Sequence, residues 1–252
     1  MWFRSIIAGL ACLLLALPAT AGEQPYRVSL IGDAFDGTSW QTGVLVELAP
    51  GWKTYWRMPG EAGIPPEFTW ITSAPAEVAV AFPAPRRYAD QSGETVGYEE
   101  VALFPVTVTP GQAGELTLGL DLFFAVCKDI CIPAKATASV TLGAMMRDPE
   151  GSARVDQARR RVPGPGTAIS AARLVKEGEK TMLELDFAER PEDVFVEAPG
   201  TAYFRAPDFS EGGRTARLPV DNLKDPAMLS GASLTLTYWL NGTSLQQTLQ
   251  LP

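Results

Sequence analysis

From Tyr26 to Leu251 short apolar, β-prone runs follow one another with Pro- and Gly-containing turns between them, and no long stretch keeps a helical period. Runs at Tyr26–Gly32, Thr42–Leu48, Glu67–Ile71, Glu77–Phe82, Val101–Val108, Glu115–Val126 and Ile132–Leu142 are predicted strands, with alternation clearest in Val44-Leu45-Val46-Glu47-Leu48. Asp36-Gly37-Thr38-Ser39 is turn chemistry. Strands this short and this regularly spaced imply an all-β chain built as an antiparallel β-sandwich. Gly51-Trp52-Lys53-Thr54-Tyr55-Trp56-Arg57 packs three large rings into five residues, which suits a core edge more often than a surface groove. Pro83 to Glu100 is polar and long for a hairpin connection, so it reads as a loop, and such loops often carry function.

Asp148-Pro149-Glu150 is a helix start, with Asp148 as cap, and Ala153 to Val162 is a predicted short helix. Arg159-Arg160-Arg161 reads as a solvated face, and Pro163-Gly164-Pro165-Gly166 breaks the chain. The second part is again β-rich, at Thr181–Phe187, Val194–Glu197, Ala202–Arg205, Thr215–Val220, Ser233–Leu240 and Ser244–Leu251. It also parallels the first: Glu77–Pro83 with Asp193–Pro199, Val101–Val106 with Thr215–Val220, and Gly114–Leu118 with Gly231–Leu236. The expected organisation is therefore a leader over 1–21, a sandwich over 22–146, a short helical linker over 147–167 and a second, cysteine-free sandwich over 168–252.

With 46% hydrophobic and 20% charged residues, 252 residues suffice for two cores of that size. A formal charge of −8 argues against nucleic acid or an anionic membrane surface as partner. The chain has no histidine, which removes Ser-His and Cys-His catalysis and histidine metal sites. No metal or other cofactor is expected, although two thiols alone can still hold Cu(I). Arg4, the apolar run Ile6–Leu17 and Pro18-Ala19-Thr20-Ala21 fit a signal peptide cleaved after about Ala21, which discards Cys12. No later segment is apolar for long enough to span a membrane, so an exported protein with no membrane span of its own is expected, in a compartment that permits disulfides.

Cys127 and Cys131 remain. Apolar runs enter the first and leave the second, so the pair flanks a three-residue hairpin loop, Lys128-Asp129-Ile130, at a spacing a disulfide can close. The bond is then structural or redox-active. Closing a loop of about five residues contributes roughly 2 kcal/mol in the chain-entropy model, near the low end for disulfides. The second copy carries a tight Asn241-Gly242 turn at the equivalent place, where Asn241-Gly242-Thr243 is read as turn chemistry and not as a glycosylation sequon. Both observations favour redox chemistry. Lys128 would stabilise a thiolate and Asp129 would oppose it.

Gly51-Trp52-Lys53-Thr54-Tyr55-Trp56-Arg57, Phe104-Pro105-Val106 and Cys127-Lys128-Asp129-Ile130-Cys131-Ile132-Pro133 together resemble the N-terminal periplasmic domain of the DsbD family of thiol:disulfide interchange proteins, including its ScsB-like relatives. The resemblance covers about Tyr26 to Leu142 and implies an immunoglobulin-like fold in the periplasm. It also implies a cysteine pair, Cys127 and Cys131, that takes electrons from a membrane-embedded, DsbD- or CcdA-like donor and passes them to thioredoxin-fold or other exported disulfide proteins. Cys131 is taken as the cysteine that forms the mixed disulfide. Tyr55 matches a position near the family's active site, and the family's cap loop, which shields the disulfide with an aromatic residue, falls at Asp90 to Glu94. Here that stretch reads Asp90-Gln91-Ser92-Gly93-Glu94, so shielding is weaker or comes from Tyr88 or another residue. The membrane-embedded and thioredoxin-like parts are absent from this sequence, which implies a separate membrane partner. The competing reading is a non-enzymatic binding or assembly module with a structural disulfide.

Overall fold

The structure is a computed structural model that describes residues 24–252 except 61, 62, 91, 92, 144, 146 and 211; the expected leader over 1–21 lies outside the described residues. The first ten strands are β1 (Tyr26–Phe35), β2 (Trp40–Leu48), β3 (Lys53–Gly60), β4 (Glu67–Thr72), β5 (Ala76–Val80), β6 (Arg86–Asp90), β7 (Gly93–Glu99), β8 (Val101–Pro110), β9 (Leu116–Cys127) and β10 (Cys131–Leu142). They form two sheets, ordered β1-β2-β8-β5 and β10-β9-β3-β7-β6, with β4 also paired to β9. Every pairing among them is antiparallel. Alternate residues of each strand enter the layer between the sheets, where Val44, Trp56, Phe104, Val106, Leu118 and Phe124 are almost completely buried. Each such side chain contributes roughly 1.5–3 kcal/mol by leaving water. The fold is the expected all-β, immunoglobulin-like sandwich.

Two segments differ from expectation. Most of the expected loop is strand: β6 and β7 pair antiparallel, from Arg86↔Gly97 to Asp90↔Gly93. Val96 and Tyr98 face the core, and the charged residues find partners far along the chain, which a local reading misses. The ring-rich segment is strand β3, with Trp56 in the core and Tyr55 buried on the opposite face.

Helix α1 (Pro149–Arg159) begins at the predicted cap: Asp148 Oδ1 accepts from Gly151 N at 2.8 Å, and Pro149 opens the first turn. Asp148 Oδ2 also accepts from Gly32 N at 2.8 Å, and the buried Asp33 carboxylate accepts from Arg147 N and Asp148 N at 2.7 and 3.0 Å. With Val155 fully buried, the helix is fastened to β1, β2 and β8. Arg159 is partly buried, with Nη1 donating to Thr107 Oγ1 at 3.4 Å, whereas Arg160 and Arg161 are exposed.

The remaining strands are β11 (Gly164–Pro165), β12 (Ile169–Glu177), β13 (Lys180–Phe187), β14 (Asp193–Glu197), β15 (Tyr203–Phe204), β16 (Asp208–Phe209), β17 (Thr215–Asp221), β18 (Ser233–Leu240) and β19 (Thr243–Gln250). Their sheets are ordered β11-β19-β18-β14 and β12-β13-β17-β15, with β16 also on β17, around a second buried cluster. The order β12-β13-β17-β15 repeats β1-β2-β8-β5, and β19-β18-β14 repeats β10-β9-β4. Two of the three sequence parallels fit this scheme. The third does not: Asp193–Pro199 holds β14, which pairs with β18 and so stands where β4 does, whereas Glu77–Pro83 holds β5, which pairs with β8. Short apolar runs ending in proline look alike in either sheet. The β18–β19 hairpin turns through Asn241 and Gly242, both at positive φ, as that dipeptide favours.

The two halves meet through partly buried charge and rings. Arg57 grips Glu197 with two bonds of 2.8 and 2.6 Å, and Trp56 packs edge-on to Phe195 at 5.9 Å. Arg87 reaches Glu94 on the neighbouring strand, both Asp193 oxygens at 3.3 Å and Val194 O at 3.0 Å, and the Tyr203 hydroxyl donates to Glu94. Burial pushes the Asp193 carboxyl above its ordinary range even with Arg87 beside it.

Candidate functional site

The site shows first as a break in the β9 pattern. Leu116, Leu118, Leu120, Leu122, Phe124 and Val126 point into the core, and outward positions such as Thr117 and Asp121 are exposed. Ala125 and Cys127 are outward positions too, yet both are buried. Their cover is Tyr55, on the outward face of β3, together with Ile64. Strand β3 pairs with β9 only at Lys53↔Cys127 and Thr54↔Val126, and β4 resumes on β9 at Glu67↔Phe123. Thr54 Oγ1 bridges part of the interval by donating to Ala125 O at 2.9 Å.

Cys127 and Cys131 are the first pair of the β9–β10 ladder, with Cα atoms 4.1 Å apart, and are joined as a disulfide around the three-residue loop. The two sulfur-bearing residues are unequal. Cys127 is 3% exposed, whereas Cys131 is open to solvent. The Tyr55 hydroxyl, on a residue only 2% exposed, lies 2.9 Å from Cys131 Sγ. A disulfide sulfur carries no hydrogen, so the phenol is the donor. In the reduced protein the same hydroxyl is placed to donate to a Cys131 thiolate, a stronger, charge-assisted bond.

Lys128, Asp129 and Ile130 are all exposed at the tip, with Ile132 exposed beside them. Lys128 passes close to Gly51, so that a Cβ there would stand 3.4 Å from its Cε. Tyr88 does not reach the sulfurs by register: it lies on β6, three strands from β9, and its ring takes Lys53 Nζ at 5.3 Å. Burial holds the Tyr88 phenol above its ordinary range. Asp90 ends β6 at the hairpin tip, and Gln91 and Ser92 lie outside the described residues. The structure thus brings Tyr55, Lys128 and Asp129 to the cysteines and keeps Tyr88 at a distance. Ile64 and Ala125 complete the site without any signal in the sequence; Thr54 and Lys53, the latter opposite Cys127, are visible there only as part of the ring-rich segment.

Residues 23–142 match the family model described as thiol:disulfide interchange protein DsbD, N-terminal. No curated protein matches the chain by sequence. Among solved structures, the N-terminal periplasmic domain of ScsB from Proteus mirabilis superposes with a TM-score of 0.71 at 24% identity, covering 94% of this chain and 96% of that one. The YadV chaperone is matched at 8% identity with a TM-score of 0.24, over 90% of this chain and 100% of that one.

Proposed function

Since residues 23–142 belong to the DsbD N-terminal domain family, we propose that the protein is a periplasmic thiol–disulfide exchange module that passes electrons between a membrane reductase and exported proteins through Cys127 and Cys131. The observation that carries this reading is the inequality of the pair: an exposed Cys131 whose sulfur meets a buried hydroxyl, and a buried Cys127 behind it. The reduced Cys131 thiolate attacks one sulfur of a partner disulfide, the bond to Cys131 forms, and the partner's other sulfur leaves as a thiolate that takes a proton. Cys127, deprotonated, then attacks Cys131 Sγ, restoring the intramolecular bond and releasing the partner's second thiol. Two electrons and two protons have moved to the partner. The same steps reversed, with a DsbD- or CcdA-like membrane donor, recharge the pair.

Thioredoxin-fold or other exported disulfide proteins are the acceptors in this reading, and the leader over 1–21 supplies export. The sandwich over 22–146 is the reactive unit, 147–167 joins it to the unit over 168–252, and the latter carries no cysteine. A Cys127→Ser variant tests the assignment, because it halts the reaction at the mixed disulfide. Partners should be captured on Cys131 and not on Cys127 in the converse Cys131→Ser variant. A reduction potential far below about −300 mV, with no exchange with thioredoxin-like proteins, would leave only a structural bond.

A further inference from the structure

Glu99, Lys53, Cys127 and Cys131 are successive register partners across β7, β3, β9 and β10, and so form one row on the outward face of the sheet. At about 4.8 Å per strand the row runs roughly 14 Å from Glu99 to Cys131. The face does not end there. Arg86 on β6 is the partner of Gly97, which is itself the partner of Tyr55, so Arg86 and Tyr88 share the outward side. Beyond them lies a cleft of about 390 Å³, roofed by Arg154 of α1 and by Arg161 just after it.

Arg86, Arg154 and Arg161 are all exposed, and among the described residues none of their guanidinium groups is engaged in an ion pair or side-chain hydrogen bond. Glu99 and Glu100 are the carboxylates of the cleft, and Glu99 stands opposite Lys53. The cleft itself thus carries three arginines against two carboxylates, with Lys53 and Lys128 nearer the disulfide and Asp129 at the tip, in a chain of net charge −8. A partner burying a standard interface of about 800 Å² covers a disc about 16 Å in radius, so one centred between Cys131 and Arg86, four strands or roughly 19 Å apart, touches both the sulfur and the near side of the cleft.

We propose that the arginine cleft is part of the docking surface for the redox partner, and that it receives an acidic segment flanking the partner's reactive cysteine. This rests on the exchange reading above. Without such a patch, the acidic chain would repel an acidic partner; with it, encounter is steered toward the sulfur.

The test uses the reduced Cys127→Ser variant and two peptides, each with one cysteine in mixed disulfide with thionitrobenzoate, flanked by four glutamates in one and four lysines in the other. Attack by the Cys131 thiolate forms the protein–peptide disulfide and expels thionitrobenzoate, whose absorbance gives the rate. The glutamate peptide should react about tenfold faster at low ionic strength, and the ratio should fall toward unity in high salt. Adding Arg86→Glu, Arg154→Glu and Arg161→Glu should invert the ratio. Equal rates, a faster lysine peptide, or a ratio untouched by the three substitutions would overturn the docking proposal while leaving the exchange reading standing. Failure of both peptides to react with the folded protein, when the unfolded chain reacts with both, would overturn the two together.

Discussion

Removing one oxygen, in Tyr55→Phe, tests the chemistry most directly. The ring is buried and its contacts with Ala125, Cys127 and Ile64 are apolar, so phenylalanine keeps the packing and loses the 2.9 Å bond to Cys131 Sγ. In the oxidised protein that bond is weak, because a disulfide sulfur is a poor acceptor. In the reduced protein it becomes a bond to a thiolate, worth about 1.5–3 kcal/mol, so its loss should make Cys131 titrate about one to two pH units higher. At a shift of about 1.5 units the thiolate fraction near neutral pH falls about 30-fold, while the more basic thiolate gains about fivefold in intrinsic nucleophilicity, for a net loss of about sixfold. The sign then reverses in alkali, where both proteins are fully ionised and the variant should be the faster. Alkylation of Cys131 by iodoacetamide across pH, in the Cys127→Ser background, reads this crossover. Superimposable pH–rate profiles would refute the role assigned to the hydroxyl.

Gly63→Ala should reproduce part of that effect with Tyr55 intact, since a Cβ at Gly63 would stand 2.6 Å from the ring's Cδ1 and drive the phenol off the sulfur; the same alkylation profile checks it. Arg87→Met strands the Glu94 and Asp193 carboxylates where the halves meet, and should cost about 3–5 kcal/mol in denaturant unfolding, with a smaller loss when Asp193→Asn is combined with it. Asp36 accepts from the Thr38 and Ser39 amides, chiefly the latter, which holds its carboxyl well below the ordinary value of 3.8. The depressed folded value makes its contribution complete above that pH and lost as pH falls below it. The melting-temperature gap between wild type and Asp36→Asn should therefore be full at pH 6 and close progressively in acid.

The features legible in the sequence are those fixed by neighbours. Asp148 capped the helix because its acceptor lies three residues from its donor, the Asn241-Gly242 turn followed from two residues that accept positive φ, and the Cys127–Cys131 hairpin followed from two flanking runs. Where the answer lay across the fold, local reading stopped. The β6–β7 hairpin looked like a polar loop because Arg87 is neutralised by Asp193, 106 residues away. Strand β12 is an exposed edge strand without an apolar alternation, and nothing around Ile64 announces that it closes over Tyr55. The disulfide could be placed from spacing alone, but its asymmetry could not, because it depends on β3 leaving β9 after two pairs.

The twelve-rung ladder from Cys131↔Cys127 to Leu142↔Leu116 has an energetic corollary. Breaking the sulfur bridge frees only the three residues of the tip, since every residue below it stays hydrogen-bonded or packed. Oxidised and reduced chains are therefore expected to share one backbone, with little reorganisation on the change of state. In the exchange proposed above, such an element would work as a reversible half-cell with no conformational memory of the direction in which it was last driven. Its potential is then adjustable by the few groups that touch the sulfurs, leaving the rest of the sandwich free to vary for other purposes.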